Sequence, residues 1–148
     1  MKIEKIESVL AGDSHIVRII TDNGIEGIGQ SACWGYMEAT DAVISSFREY
    51  LIGKDPLQID HHWQYLYRMG PFRGSILTAA ISAIDIALWD IKGKFYEAPV
   101  WQLLGGKLRN KIKNIKFRHQ YRRYVGSAAD RDSVKGIYYH RRRPNLRY

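Results

Sequence analysis

The side chains with chemical potential in this sequence are few, and their spacing keeps most of them apart. Asp85 and Asp90 are the nearest approach to a carboxylate pair of the kind used for acid–base work. They sit in a stretch of helical period, where five positions turn two side chains about 140° apart. They cannot converge on one reacting atom, and the expected role is structural, an aspartate accepting hydrogen bonds beside a core stripe. His61 and His62 are adjacent; on a helix they diverge by about 100° and are badly set to chelate one ion. Solvated or partly packed helix positions are expected for both. Gly24, Gly27 and Gly29 have part of the spacing of a glycine-rich nucleotide loop. They belong to a hairpin and a strand rather than to the opening of a helix, which removes the phosphate-cradle reading. Cys33 is the only cysteine, so neither an internal disulfide nor a multi-cysteine metal site is possible within the chain. A reducing, cytoplasmic setting is the simplest expectation. No catalytic residue and no metal ligand is assigned.

The elements that carry these residues are legible in the pattern. Ile3, Ile6, Val9 and Leu10 alternate with polar residues, and His15 to Ile20 is β-branched and apolar around Arg18. Ala11-Gly12-Asp13-Ser14 is a turn between two strands. Asn23-Gly24 predicts a tight hairpin with positive φ at both positions, leading to a third strand through Ile25, Gly27, Ile28 and Gly29. Glu38–Ile52 has the helical period, with Gly53 as its left-handed cap. Asp55-Pro56-Leu57-Gln58 predicts an N-cap, a proline at the first helical position and a capping-box glutamine for a second helix carrying Ile59, Trp63, Leu66 and Tyr67. The third helix carries the stripe Leu77, Ile81, Ile84, Leu88, Ile91, Phe95, with Ala79, Ala80, Ala83 and Ala87 allowing close approach of a neighbour. After Pro99 a short apolar turn, Val100 to Leu104, runs into Gly105-Gly106. Strands first and helices second predict an α+β fold: a three-stranded antiparallel meander followed by a three-helix bundle.

The segment from Ala80 to Gly105 carries a more specific signal. Ala80, Ser82, Ala83, Ile84, Asp85, Ala87, Leu88, Asp90, Ile91, Gly93, Lys94, Pro99, Val100, Leu103, Leu104 and Gly105 follow a pattern of the mandelate racemase/muconate lactonizing branch of the enolase superfamily. Over residues 1–113 the chain resembles the N-terminal capping domain of that family, most closely its acid-sugar dehydratase group. The resemblance implies a two-domain enzyme in which this cap closes over a β/α barrel. There a Lys or His base removes a proton next to a carboxylate, and Mg²⁺ stabilises the resulting ene-diolate. A barrel needs about 200 residues, so the resemblance stops before the catalytic part, and Mg²⁺ and a sugar-acid substrate are implied only for a full-length relative. Lys111-Ile112-Lys113 has the Lys-x-Lys spacing of the family's base but stands at the first barrel strand, not the second, and reads as a basic strand start. The resemblance places the specificity loops at Ser31–Tyr36 and Gly70–Gly74. Trp34 and Tyr36 are candidates to shield substrate from water, Arg73 is a candidate to meet a substrate carboxylate through its fork, and Phe72 is a further candidate of the second loop. The family's other specificity loop, in the first hairpin, is reduced here to a few residues around Gly12 and Asp13.

Charge divides the chain. The formal net charge is +8, yet residues 1–106 hold 9 Lys/Arg against 13 Asp/Glu, and residues 107–148 hold 14 against 2. An acidic body is joined to a basic tail over 114–148, rich in Arg and Tyr and without clear period. Three readings apply to the tail: a segment binding RNA or other polyanions through phosphate contacts and stacking, a disordered or non-native extension, and a docking segment for a separate partner. The abrupt loss of pattern favours the second. The N-terminal residues carry no signal-peptide core, and no apolar run approaches the roughly 20 residues needed to span a bilayer. No membrane partner is expected. A cap without its barrel is expected to be inactive and to self-associate through the face the barrel would cover.

Overall fold

The computed structural model describes residues 1–12, 14–31 and 36–111. The basic tail over 114–148, with its polyanion-binding and docking readings, lies outside the described residues, as do Ile112 and Lys113. Residues Met1–Asn110 form one compact unit. Its elements are β1 (Ile3–Ala11), β2 (Ser14–Thr21), β3 (Glu26–Ser31), α1 (Met37–Leu51), α2 (Ile59–Arg68), α3 (Ser75–Phe95) and a short α4 (Val100–Leu103). The sheet is antiparallel in the order β1-β2-β3, the meander expected from the alternation. No described helix is long and apolar enough to cross a membrane.

One face of the sheet holds the core. Ile3 and Ile6 of β1 and Val17 and Ile19 of β2 meet Ile44, Phe47 and Leu51 of α1, Leu66 of α2, and Ile81, Ile84, Leu88 and Ile91 of α3. The α3 stripe is buried as its period requires, except that Leu77 is half-buried and Phe95 is exposed. On the opposite face Arg18 lies between Glu7 and Glu26, its guanidinium paired with both carboxylates. Glu7 lies directly opposite Arg18, whereas Glu26 lies diagonally from it, two positions along β3 from Ile28, which faces Arg18.

Gly27 and Gly29 settle what the glycine spacing is for. Both are buried on the core face, against α3. A Cβ on Gly29 would stand 2.9 Å from the carbonyl carbon of Ala83, with the carbonyl oxygen closer still; one on Gly27 would stand 2.7 Å from Ile91 Cγ1. The strand glycines and helix alanines thus bring two backbones into contact, as the alanine spacing anticipated.

Two local expectations are corrected. In the second hairpin only Gly24 has positive φ, at 82°, and Asn23 does not. Gly24 N–H donates to the Thr21 carbonyl and Thr21 N–H to the Ile25 carbonyl, so the loop is a three-residue turn closed by a left-handed glycine. Thr21 Oγ1 donates to Ile25 O and Asn23 Oδ1, which favours this form. Asp55 does not cap α2. Its carboxylate accepts the Leu57 N–H at 3.0 Å, its carbonyl accepts from the Gln58 N–H, and Gln58 occupies the cap position. Asp55-Pro56 therefore forms a turn ahead of the helix. Gly53, at φ 78°, follows α1 in the expected left-handed conformation.

Candidate functional site

The packing of β3 on α3 fixes where the loops emerge. Gly27 lies against Ala87 and Ile91, and Gly29 against Ala83, so strand and helix run in opposite directions. The Ser31 end of β3 therefore lies toward the first turn of α3, where Gly74 stands at the cap position. His15 pairs with Ser31, which brings the β1–β2 turn at Gly12 to the same end. That end therefore carries the turn at Gly12, the exit of β3 at Ser31 and the loop before α3. Of the four candidate residues, Trp34 lies outside the described residues, and Tyr36, Phe72 and Arg73 belong to the two longer connections.

Their environments differ. Tyr36 is exposed at the cap position of α1, and its carbonyl accepts both the N–H and the Oγ1–H of buried Thr40, at 3.0 and 2.9 Å. Backbone position is thus fixed while the ring remains free. Phe72 is 88% exposed, an apolar ring with no cover within the unit. Arg73 is held from one side: Nε–H donates to the Tyr67 carbonyl at 3.1 Å, and the guanidinium lies 4.7 Å from the centre of the Tyr67 ring. Nη1 reaches the Pro71 carbonyl at 3.5 Å, which leaves Nη2 as the open edge of the fork.

Beneath this end lies His15, a residue that the strand pattern absorbed as one more position. It is fully buried, with Nε2 2.7 Å from Ser8 Oγ and 3.7 Å from Asp41 Oδ1. Serine and carboxylate approach the same ring nitrogen, so the trio cannot relay a proton as a nucleophilic triad does. It joins β1, β2 and α1 below the segment that carries Tyr36.

His62 corrects the expectation of a solvated or partly packed position. It is 1% exposed, Nε2–H donates to the Asp55 carbonyl at 2.8 Å, and Nδ1 lies 3.0 Å from the Tyr50 hydroxyl. Burial lowers its pKa, chiefly by desolvation, so the neutral ring donates at Nε2 and accepts from Tyr50 at Nδ1. Adjacent His61 is exposed. Asp90 plays the structural part expected of it, accepting the Ile28 N–H and Lys94 Nζ, each at 2.9 Å. Asp85 is half-buried in the seam between α2 and α3 beside His62, Trp63 and Leu66. Burial, and then neighbouring Asp60, raise its pKa. Among the described residues no three His, Cys, Asp or Glu side chains gather to hold a metal ion. The residues described do not fit Mg²⁺.

This arrangement of meander and helices has counterparts among known proteins. Residues 6–105 match the N-terminal domain of the mandelate racemase / muconate lactonizing enzyme family. The chain belongs to that family. Similar solved structures include an enolase from Agrobacterium radiobacter assigned as a galactarate dehydratase, with bound Na and L-malate. It is 33% identical with TM-score 0.73, over 76% of this chain and 30% of that one. A dehydratase-assigned protein from Mesorhizobium loti is 39% identical with TM-score 0.67, over 74% and 31%. An enolase from Pantoea ananatis, with bound D-gluconate and Mg, is 36% identical with TM-score 0.69, over 73% and 28%. The chain thus spans about 30% of the length of these relatives.

Proposed function

We propose that this chain is the substrate-closing cap of a Mg²⁺-dependent sugar-acid dehydratase or racemase, and that it works only against a barrel domain that supplies base and metal. The observation that carries the reading is that the Ser31 end of β3 lies toward the start of α3, the end from which the chain runs on to Tyr36 and at which the loop with Phe72 and Arg73 enters α3. Dehydratase-assigned proteins among the relatives support the reaction class. In that reaction class a base on the barrel would remove the proton α to a carboxylate, and a metal held by the barrel, not by the residues described here, would supply charge stabilisation. This chain's part is to exclude water and orient: Tyr36 and Phe72 provide apolar cover, and the open edge of the Arg73 fork meets a substrate carboxylate. Its acid–base inventory supports no more, since Asp85 and Asp90 have the packing and hydrogen-bonding roles described above.

The test has two arms. The purified 148-residue chain, assayed with Mg²⁺ and a panel of sugar acids, is expected to show no turnover; Mg²⁺-dependent dehydration or racemisation by this chain alone would refute the reading. Residues 1–110, fused to the barrel of the Mesorhizobium loti relative in place of its own cap, are expected to restore turnover. Arg73→Ala in that fusion should then lower kcat/KM by about tenfold or more, the loss of a charge-assisted contact. An unchanged kcat/KM across all sugar acids removes Arg73 from the site.

A further inference from the structure

The two edges of the sheet are finished differently. On β3 the helix α3 covers the edge: the Ile28 N–H donates to Asp90 Oδ2 and the Glu26 carbonyl accepts from Lys94 Nζ at 2.7 Å. On β1 the chain covers only the beginning, where the Ile3 N–H donates to the Lys54 carbonyl and the Ile3 carbonyl accepts from the Gly53 N–H, each at 2.8 Å. From Glu4 to Val9, the backbone groups of β1 that face away from β2 have no partner among the described residues. Beside this stretch runs an open groove of about 540 Å³, lined by Glu4–Val9, Arg48 and Ile52. Arg48 Nε is buried with no hydrogen-bond partner among the described residues, and Ile52 is exposed. An open strand edge is a template for another strand, because its unpaired N–H and C=O groups are already spaced for one.

We propose that this edge pairs with β1 of a second copy of the chain, antiparallel about a twofold axis at Ile6. The register follows from faces and charges. Shifting by an odd number of residues would set core-face side chains opposite solvent-face ones. Among the even shifts, the one centred on Ile6 places Lys5 opposite Glu7 of the second copy, twice by symmetry, with Ile6 on Ile6. Centring on Lys5 or on Glu7 sets like charges against each other, which destabilises a cross-strand pair. Lys5 protects such an edge from indiscriminate pairing; in this register alone it is met by an acid. Within one copy Lys5 Nζ already lies 2.7 Å from Glu7 Oε1 and is mostly exposed, so it can turn to the neighbour without leaving a buried site. The inference does not depend on the capping reading.

A charge-reversal cycle on the full chain tests it, with sedimentation velocity as the readout and circular dichroism confirming that each variant folds. The wild-type chain is expected to dimerise reversibly. Lys5→Glu and Glu7→Lys, each alone, should weaken the dimer by about tenfold or more, because two opposite-charge pairs become repulsive. Mixing the two single variants should restore association, since Lys5→Glu presents two acids to the two lysines of Glu7→Lys. A monomeric wild-type chain overturns the proposal. So does a dimer whose dissociation constant is the same in all four samples, or single variants that weaken but do not recover on mixing.

Discussion

Replacing Gly29 by alanine tests the contact on which the placement of the loops depends. The added Cβ would stand 2.9 Å from the Ala83 carbonyl carbon and 3.1 Å from the Ala87 nitrogen, where carbon–carbon contacts prefer about 3.5–4.0 Å. Both neighbours are backbone atoms of one helix, so relief requires α3 to move away from β3 as a body. Overpacking of this kind costs roughly 1–3 kcal/mol, occasionally more. The same movement stretches the Ile28 N–H to Asp90 bond and the Lys94 to Glu26 bond, each worth about 1.5–3 kcal/mol as a charge-assisted contact when fully lost. Against this, alanine restricts the unfolded chain and returns about 0.4–1 kcal/mol. The net expectation is a loss of about 2–4 kcal/mol, measured as a lower urea midpoint with an unchanged m-value. Gly70→Ala is the control: nothing lies within 4 Å of its Cβ position and its φ is not in the left-handed region, so the midpoint should stay or rise slightly. If Gly29→Ala costs under about 0.5 kcal/mol, a typical surface substitution, the backbone contact does not set the helix position and the shared end of the loops loses its support.

Two further outcomes depend on pH. Burial holds the His62 pKa below its unfolded value of about 6.5. Its contribution to stability is therefore present above that value and is lost as pH falls through and below it, where the unfolded chain takes up a proton first. Urea midpoints should decline from pH 7 to pH 5, and His62→Gln should flatten that decline; equal slopes in both chains would contradict the assignment. Asp85 has the opposite sign: its folded pKa is raised, so its favourable contribution exists at low pH and is lost as pH rises through that value. Asp85→Asn should accordingly raise stability at neutral pH by roughly 0.5 kcal/mol and lose that advantage toward pH 4, as followed by thermal unfolding at several pH values.

The sequence patterns revealed most where a period of 2 or 3.6 met a binary choice of apolar or polar. The β2 alternation of Val17, Ile19 and Arg18, and the α3 stripe from Ile81 to Ile91, follow directly from which face must be dry. Harder to read were residues whose position depends on a third element. His62 looked like one of two equivalent helix histidines; only the return of α1 to place Tyr50 beside it, and the turn at Asp55 to offer a carbonyl, make it a buried link. His15 falls in the alternation of β2 and gives no sign of Ser8 or Asp41. The Asp55-Pro56 motif has the letters of a helix start, but its carboxylate meets a nearer N–H first, a local competition that a pattern cannot arbitrate. The candidate loops were placed by family resemblance rather than by any periodicity, because loops carry none.

The chain's apolar surface is separate from the contact that Gly29 makes. Late in the unit several apolar side chains reach the surface: Ile86, Phe95, Trp101 and Leu104 are exposed, while Trp89 is half-buried against the core. The exposed side of α2 is mixed as well, with Asp60, His61, Gln64 and Arg68 beside exposed Trp63 and Tyr65. Glycine and alanine on the inner side fix the distance between helix and strand, and with it the end where Tyr36 and Arg73 emerge. A change at Gly29 is therefore expected to alter stability and the placement of Tyr36 and Arg73 together, while the exposed apolar side chains keep their surface.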